Sequence, residues 1–253
     1  MMFENKVAIV TGGGTGIGAA TARRFVEEGG HVALIGRRAA KLEAVAADMA
    51  DERCLILPAD VADEAAIAAA VAQTVAHFGR LDALVNNAGV ARSGSVLDTD
   101  TETWRMIQSV NVDGIFFASK AALPALIETG GSIVNVASVS GMGADWGLAA
   151  YNASKGAVIN LSRAMALDHA ADGVRVNVIA PSLTETDMTA GITARDDVME
   201  RVRNRLAMGR AATPEEIADP ILFLLSHAAR FVTGAVLPVD GGVTASNGQP
   251  RLR

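Results

Sequence analysis

Short runs of apolar, largely β-branched residues recur along the chain: Val7 to Val10, Val32 to Ile35, Cys54 to Leu57, Ala83 to Val85, Ile133 to Val136, Val174 to Ile179 and Val236 to Val239. A strand with one wet face alternates apolar and polar residues, whereas these runs are apolar throughout, the pattern of strands covered on both faces. Between them lie long alanine-rich stretches of helical period, the first from about Gly16. Seven strands alternating with helices predict an α/β fold, a doubly wound parallel sheet flanked by helices on both faces. A closed barrel needs an eighth unit. No repeat, low-complexity stretch or Pro/Gly linker divides the chain, so residues 1–245 are expected to form one domain, with a polar tail at 246–253.

Composition narrows the function classes. Hydrophobic residues make up 50% of the 253 and charged residues 20%, which excludes disorder and suits a well-buried sheet. The formal charge is −6 and the arginines are scattered, so no electrostatic footprint for nucleic acid is present. Cys54 is the sole cysteine, read as a buried core thiol; it excludes an internal disulfide and a multi-thiol metal site. The four histidines, His31, His77, His169 and His227, show no ligand spacing, so no metal is expected. No apolar run approaches 18 residues and Met1 to Lys6 has no targeting pattern, which predicts a cytoplasmic chain with no membrane partner.

The first strand is followed by Thr11-Gly12-Gly13-Gly14-Thr15-Gly16-Ile17-Gly18. Glycines between a strand and a helix let the backbone turn sharply and approach a pyrophosphate, whose charge then meets amides and the helix N-terminus. Placed at the head of a strand-helix series, this turn predicts a Rossmann-type dinucleotide cradle at Gly12, Thr15, Gly16, Ile17 and Gly18. The sole tyrosine, Tyr151, precedes Lys155, one of four lysines, by four residues. On a helix that spacing stacks both side chains on one face. A nearby ammonium favours phenolate, so the pair predicts a proton-transfer device with an acidified phenol.

TGxxxGxG together with YxxxK resembles the short-chain dehydrogenase/reductase family. The resemblance spans nearly the whole chain: Asp60-Val61, Asn86-Asn87-Ala88-Gly89, Asn111, Ser138, Pro181, Thr233-Gly234 and Asp240-Gly241-Gly242 occupy the family's other marked positions. It implies hydride transfer between a nicotinamide and a secondary alcohol or ketone, with Tyr151 as general acid/base. Lys155 would also hold the nicotinamide ribose, Ser138 would orient the reacting oxygen, and a carbonyl freed by a helix kink at Asn111 would hold a water leading from Lys155. It further implies cofactor contacts at Asp60, Val61, Asn86, Ala88, Gly89, Pro181, Thr184 and Thr186, a mobile lid at about 187–210, and a homotetramer built through the Asn111 and Tyr151 helices and the last strand. Where the family usually has glycine after Pro181, this chain has Ser182, which reaches positive φ less cheaply and leaves the backbone near Thr184 open.

The end of the second strand reads the adenosine ribose: a carboxylate accepts from a free 2′-hydroxyl, an arginine meets a 2′-phosphate. Gly36-Arg37-Arg38 stands there, so NADP(H) is favoured. NAD(H) stays possible, because Thr15 occupies a position that is basic in many NADP-preferring relatives. Trp146 and Met188 are candidate substrate-pocket walls. A small free alcohol or ketone ranks above the alternative, a 3-oxoacyl-carrier-protein reductase, because the helix ends at Ile127-Glu128-Thr129-Gly130 and Asp168 to Asp172 lack the cations that an acidic carrier would need at the active-site mouth. A catalytically silent NADP(H) sensor is the remaining alternative.

Overall fold

The computed structural model describes residues 1–249, the Asp51 side chain excepted, so 250–253 of the expected tail lie outside the described residues. Seven strands form one parallel sheet: β1 (Val7–Thr11), β2 (His31–Gly36), β3 (Cys54–Pro58), β4 (Ala83–Asn86), β5 (Ser132–Val136), β6 (Arg175–Pro181) and β7 (Val236–Val239). Their order, β3-β2-β1-β4-β5-β6-β7, reverses direction between β1 and β4. The connecting helices are α1 (Gly16–Glu27), α2 (Ala39–Ala46), α3 (Glu64–Phe78), α4 (Thr101–Gln108), α5 (Gly114–Thr129), α6 (Ala149–His169), α7 (Ala190–Thr193), α8 (Asp196–Arg205) and α9 (Pro214–Leu225). Every apolar run predicted as a strand is one, within two residues at each end.

Alternate residues of each strand enter opposite cores, as the pleat requires. Ala8 and Val10 pack with Val32 and Leu34 under α1, α2 and α9, where Phe25, Leu42 and Ile221 are fully covered. Val7 and Ile9 pack with Ala33 and Ile35 on the other face, against Ile67 and Val71 of α3 and Ala122 and Leu126 of α5. Double burial explains why the runs carry no polar alternation. Cys54 departs from the expected core thiol. It lies on the edge strand β3, half-buried beside the first core, and burial pushes its thiol up to about 11.

α4 and α5 join through a π turn over Ser109–Asp113 into one helix, Thr101–Thr129, long and apolar enough by length and composition to cross a membrane. Asp113 and Lys120 interrupt its apolar sequence, so no uninterrupted apolar run marks it. Its apolar residues Ile115, Ala118, Ala122 and Leu126 are buried in the cores.

The strand starts are tied down by charge. Asp82 is 8% exposed and accepts from Val7 N (3.0 Å), Lys6 Nζ (2.9 Å) and Arg80 Nη2 (2.7 Å), which anchors β4 to β1. Burial pushes the carboxyl up; Arg80, the Val7 amide and Lys6 together outweigh this and hold it below its ordinary 3.8. Arg175 donates to Leu224 O (2.7 Å) and Leu225 O (3.1 Å), closing the carbonyl end of α9. With Lys6 and Arg80 partly in solvent, Asp82→Ala should cost about 2 kcal/mol of unfolding free energy at pH 7. Because the folded carboxyl is the stronger acid, the wild type holds this advantage above its ordinary pKa and loses it as pH falls through the depressed folded value. Urea unfolding curves of the two proteins should therefore converge in acid.

Candidate active site

The reversal of strand order between β1 and β4 leaves a crevice at the carboxyl ends of the strands, where open α/β sheets hold their ligands. A cavity of about 510 Å³ occupies it, running from Arg37, Arg38 and Lys41 past the glycine turn to Ser138, Tyr151, Lys155 and Thr186. The two sides of the crevice are stitched together. Thr11 Oγ1 accepts from Asn87 N (3.0 Å) and Ala88 N (3.1 Å), and Asn87 Nδ2 donates to Thr11 O (3.0 Å) and Gly12 O (3.2 Å).

The glycine turn is shaped for a close-fitting anion. Gly12 and Gly16 hold φ of 64° and 53°, and Gly18 lies so close to Gly12 O that a Cβ there would overlap it. Thr15, the residue before α1, makes no side-chain cap, and the first turn of α1 carries no acid. The helix N-terminus therefore presents its positive end to the cavity. A backbone-lined floor beneath an acid-free helix start fits the pyrophosphate of a dinucleotide, and Arg37, Arg38 and Lys41 at one end fit further negative charge.

At the other end, Tyr151 and Lys155 share one face of α6, with Lys155 Nζ 5.7 Å from the Tyr151 ring centroid. Lys155 is 4% exposed, and its Nζ donates to Val136 O at the end of β5 (2.8 Å). Removal from water pushes the ammonium down to about 8. The phenol departs from the acidified group expected from the spacing. Burial pushes it up, a hydrogen bond with Ser138 pulls it down, and the Asp145 carboxylate adds to the upward push. Desolvation disfavours the charged form of both groups, so it raises the phenol and lowers the amine together.

Ser138 follows β5 and caps the short turn Val139–Gly141, its Oγ accepting from Ser140 N (3.1 Å). Asn111 lies within the π turn, at the kink the resemblance implies. It is buried: Oδ1 accepts from Val90 N (2.8 Å), while Nδ2 donates to Val90 O (2.9 Å) and Ser154 Oγ (3.0 Å). Its side chain thus pins the loop after β4 to α6. Gly89 in that loop lies beside both Asn111 and Lys155.

Thr15, Ile17, Asp60, Val61, Ala88, Gly89, Pro181, Thr184, Thr186 and Met188 line the cavity as expected. Four expected residues do not. Gly18 and Asn111 lie behind the lining in the contacts just described. Asn86 is buried below the floor, where its Nδ2 donates to Asn135 Oδ1 (2.8 Å) and Ser119 Oγ (3.1 Å), and its neighbour Asn87 faces the cavity instead. Successive strand residues point to opposite sides, so a motif quoted as a block cannot say which asparagine faces out. Trp146 is 98% exposed and forms no wall of the cavity. Lys41 was missed: it lies in the first turn of α2, whereas Arg37 precedes the helix and Arg38 is its extended N-cap, so helical spacing does not connect them. Ser182 raises no backbone difficulty: Asn5 is the one non-glycine with positive φ among the described residues, and Ser182 Oγ donates to Asp240 O (3.0 Å). Within one chain, Thr129, Gly130, Ala170 and Gly173 line a second cavity with the strand starts Ala83, Ser132 and Arg175. The acidic helix ends therefore lie opposite the active-site crevice of their own chain.

Residues 12–244 match the family model described as Enoyl-(Acyl carrier protein) reductase. The chain is 49% identical to a meso-2,3-butanediol dehydrogenase of Serratia marcescens over the whole of both chains. It is 45% identical to 2-(S)-hydroxypropyl-CoM dehydrogenase 3 of Xanthobacter autotrophicus, covering 96% of this chain and 98% of that one. To a galactitol 2-dehydrogenase (L-tagatose-forming) of Cereibacter sphaeroides it is 44% identical, covering 96% of each. With the glycine turn, the Tyr151/Lys155 pair and the sheet order in place, these matches show that the chain belongs to the short-chain dehydrogenase/reductase family, oxidoreductases that use NAD(P)(H) and act on CH–OH groups.

Proposed function

We propose that the protein interconverts a small secondary alcohol and its ketone with NADP(H), NAD(H) being the second choice, and that Tyr151 moves the proton. The observation that carries this reading is the buried Lys155 ammonium beside Tyr151, in the same crevice as the glycine turn and Ser138. Residues 1–245 act as one dinucleotide-binding and catalytic unit, with 187–210 as its lid. The relatives' names, a butanediol, a hydroxypropyl thioether and a sugar alcohol dehydrogenase, support a small hydroxylated substrate. The matching family description supports a second reading, an acyl-carrier-protein substrate. Assay of diols, polyols, ketones and an acyl carrier thioester with both nucleotides, read by absorbance of the reduced nucleotide, separates the two.

The turn at Gly12, Gly16 and Ile17 holds the pyrophosphate, and Asp60 and Val61 border the adenine. Ala88, Gly89, Pro181, Thr184 and Thr186 line the nicotinamide half, and Met188 covers the substrate. When bound, the cofactor takes or gives the hydride, and its oxidised ring adds positive charge beside the phenol. Ser138 orients the substrate oxygen, and Tyr151 accepts its proton in oxidation or returns it in reduction. Lys155 supplies the fixed positive charge that opposes the burial holding the phenol protonated. Asn111 keeps the loop after β4 against α6, and with it the geometry around Lys155. The chain works in the cytoplasm as a homotetramer; exposed Phe116 on α5 and Leu167 on α6 support assembly through those helices.

Tyr151→Phe should leave cofactor affinity in place and lower turnover by roughly 10²- to 10⁴-fold, the range for loss of a general acid/base. Lys155→Met should move the midpoint of the pH–rate profile upward. It should also raise the melting temperature at pH 7, since burial of the ammonium opposes folding. That gain should be full below about pH 8, where folded Lys155 is charged, and fade as pH approaches the ordinary lysine value of 10.5. Arg37 stands mostly in solvent, 3.7 Å from Asp60, a pairing loose enough to leave its guanidinium for a phosphate. Arg37→Ala should raise KM for NADPH by roughly 10- to 100-fold, the worth of one charge-assisted contact, and leave KM for NADH unchanged. Equal changes for both nucleotides would count against the 2′-phosphate assignment.

A further inference from the structure

Ser138 Oγ lies 3.1 Å from Ser140 Oγ, and Ser140 Oγ lies 2.5 Å from Asp145 Oδ2. Neither Ser140 nor Asp145 lines the cavity; Ser140 is buried and Asp145 is exposed. The Asp145 backbone is clamped from the other side by Asn152, the residue next to Tyr151. Its side chain donates Nδ2 to Asp145 O (2.8 Å) and accepts from Asp145 N (3.3 Å). Hydrogen bonds thus close a circuit from Ser138 through Ser140 and Asp145 to the turn of α6 that carries Tyr151.

The donors in this circuit can be assigned from valence. A carboxylate only accepts, so the single hydroxyl proton of Ser140 goes to Asp145. The Ser140 oxygen is then left as an acceptor; Ser138 can donate to it at 3.1 Å or to Pro181 O at 3.5 Å, and the shorter contact places the proton between the two serines. Ser138 Oγ already accepts the Ser140 amide, which leaves one lone pair free; Ser138 and Tyr151 both line the cavity.

We propose that Asp145 is a positioning residue that, through Ser140, holds the Ser138 hydroxyl with its proton turned away from Tyr151 and its lone pair toward it. The inference rests on the reading of Tyr151 as the acid/base. Tyr151 and Ser138 line the same end of the cavity, and the Ser138 hydroxyl favours phenolate only when its proton is free to turn toward Tyr151; the circuit withholds that proton by holding it on Ser140. The carboxylate beyond acts in the same sense, since its charge disfavours phenolate. For Ser138 to give its proton to a substrate oxygen it must release Ser140, so Asp145 sets how tightly that proton is held. The other charged groups lining the cavity are Lys155 and Asp187 at this end, and Arg37, Arg38, Lys41 and Asp60 at the adenosine end. Lys155 opposes Asp145 from the same helix as Tyr151.

The test is the pH–rate profile of alcohol oxidation for Asp145→Asn, Ser140→Ala and the double variant, with cofactor affinity as the check on folding. The Asn152 clamp holds the Asp145 backbone, so Asp145→Asn keeps the loop while removing the charge. Each single variant should lose turnover by roughly tenfold through a loosened Ser138, and each should move the midpoint to lower pH. Asp145→Asn should move the midpoint less in the Ser140→Ala background than in the wild type, and Ser140→Thr should restore the wild-type profile. An unmoved midpoint, or equal shifts in both backgrounds, would overturn the circuit. Turnover retained in Tyr151→Phe would instead overturn the acid/base reading on which it rests.

Discussion

The ammonium of Lys155 is held out of water at the carboxyl edge of the sheet, and the active-site end of the molecule is organised around that constraint. A buried cation is unfavourable unless protein oxygens and dipoles replace its hydration. Val136 O is supplied by a strand that ends there, and the Tyr151 ring by the same face of α6. Gly89 lies beside the ammonium, and the loop carrying Gly89 is fixed by Asn111 through both backbone groups of Val90. A π turn in the long helix brings Asn111 to that point. Four separate stretches of chain therefore meet at one charge.

The two ends of the sheet use polar groups differently. Below, Asp82 takes four donors from three residues and its charge is matched, while Arg175 meets the last carbonyls of α9 and, like Lys155, is pushed down by burial. Above, Thr15 leaves α1 without a side-chain cap, the turn is built from glycine, and Lys155 is displaced toward neutrality by burial. Groups left without a full set of protein partners are those free to meet a ligand. The same burial that displaces Lys155 raises Tyr151, so the two shifts have one origin and the site holds its proton on the phenol.

The fold was legible because double burial removes polar alternation from the strands, and glycine at a strand-helix junction has few other uses. The glycine turn's geometry and the shared face of Tyr151 and Lys155 were legible for the same kind of reason: both are local, fixed by spacing along one turn or one helix face. Other features were not available to such reasoning. Which of Asn86 and Asn87 faces the crevice depends on how β4 emerges from the sheet, and the exposure of Trp146 depends on the path of a loop. The direction of the Tyr151 shift depends on how much water the surrounding elements exclude, which outweighs the attraction of a neighbour four residues away. The Asp145 to Ser138 circuit joins residues close in sequence, yet only the turn after β5 and the start of α6 bring their oxygens within bonding distance. Spacing settles what one turn of helix or strand can hold together, whereas desolvation and the facing of side chains are sums over segments distant in the chain, and those only the folded structure fixes.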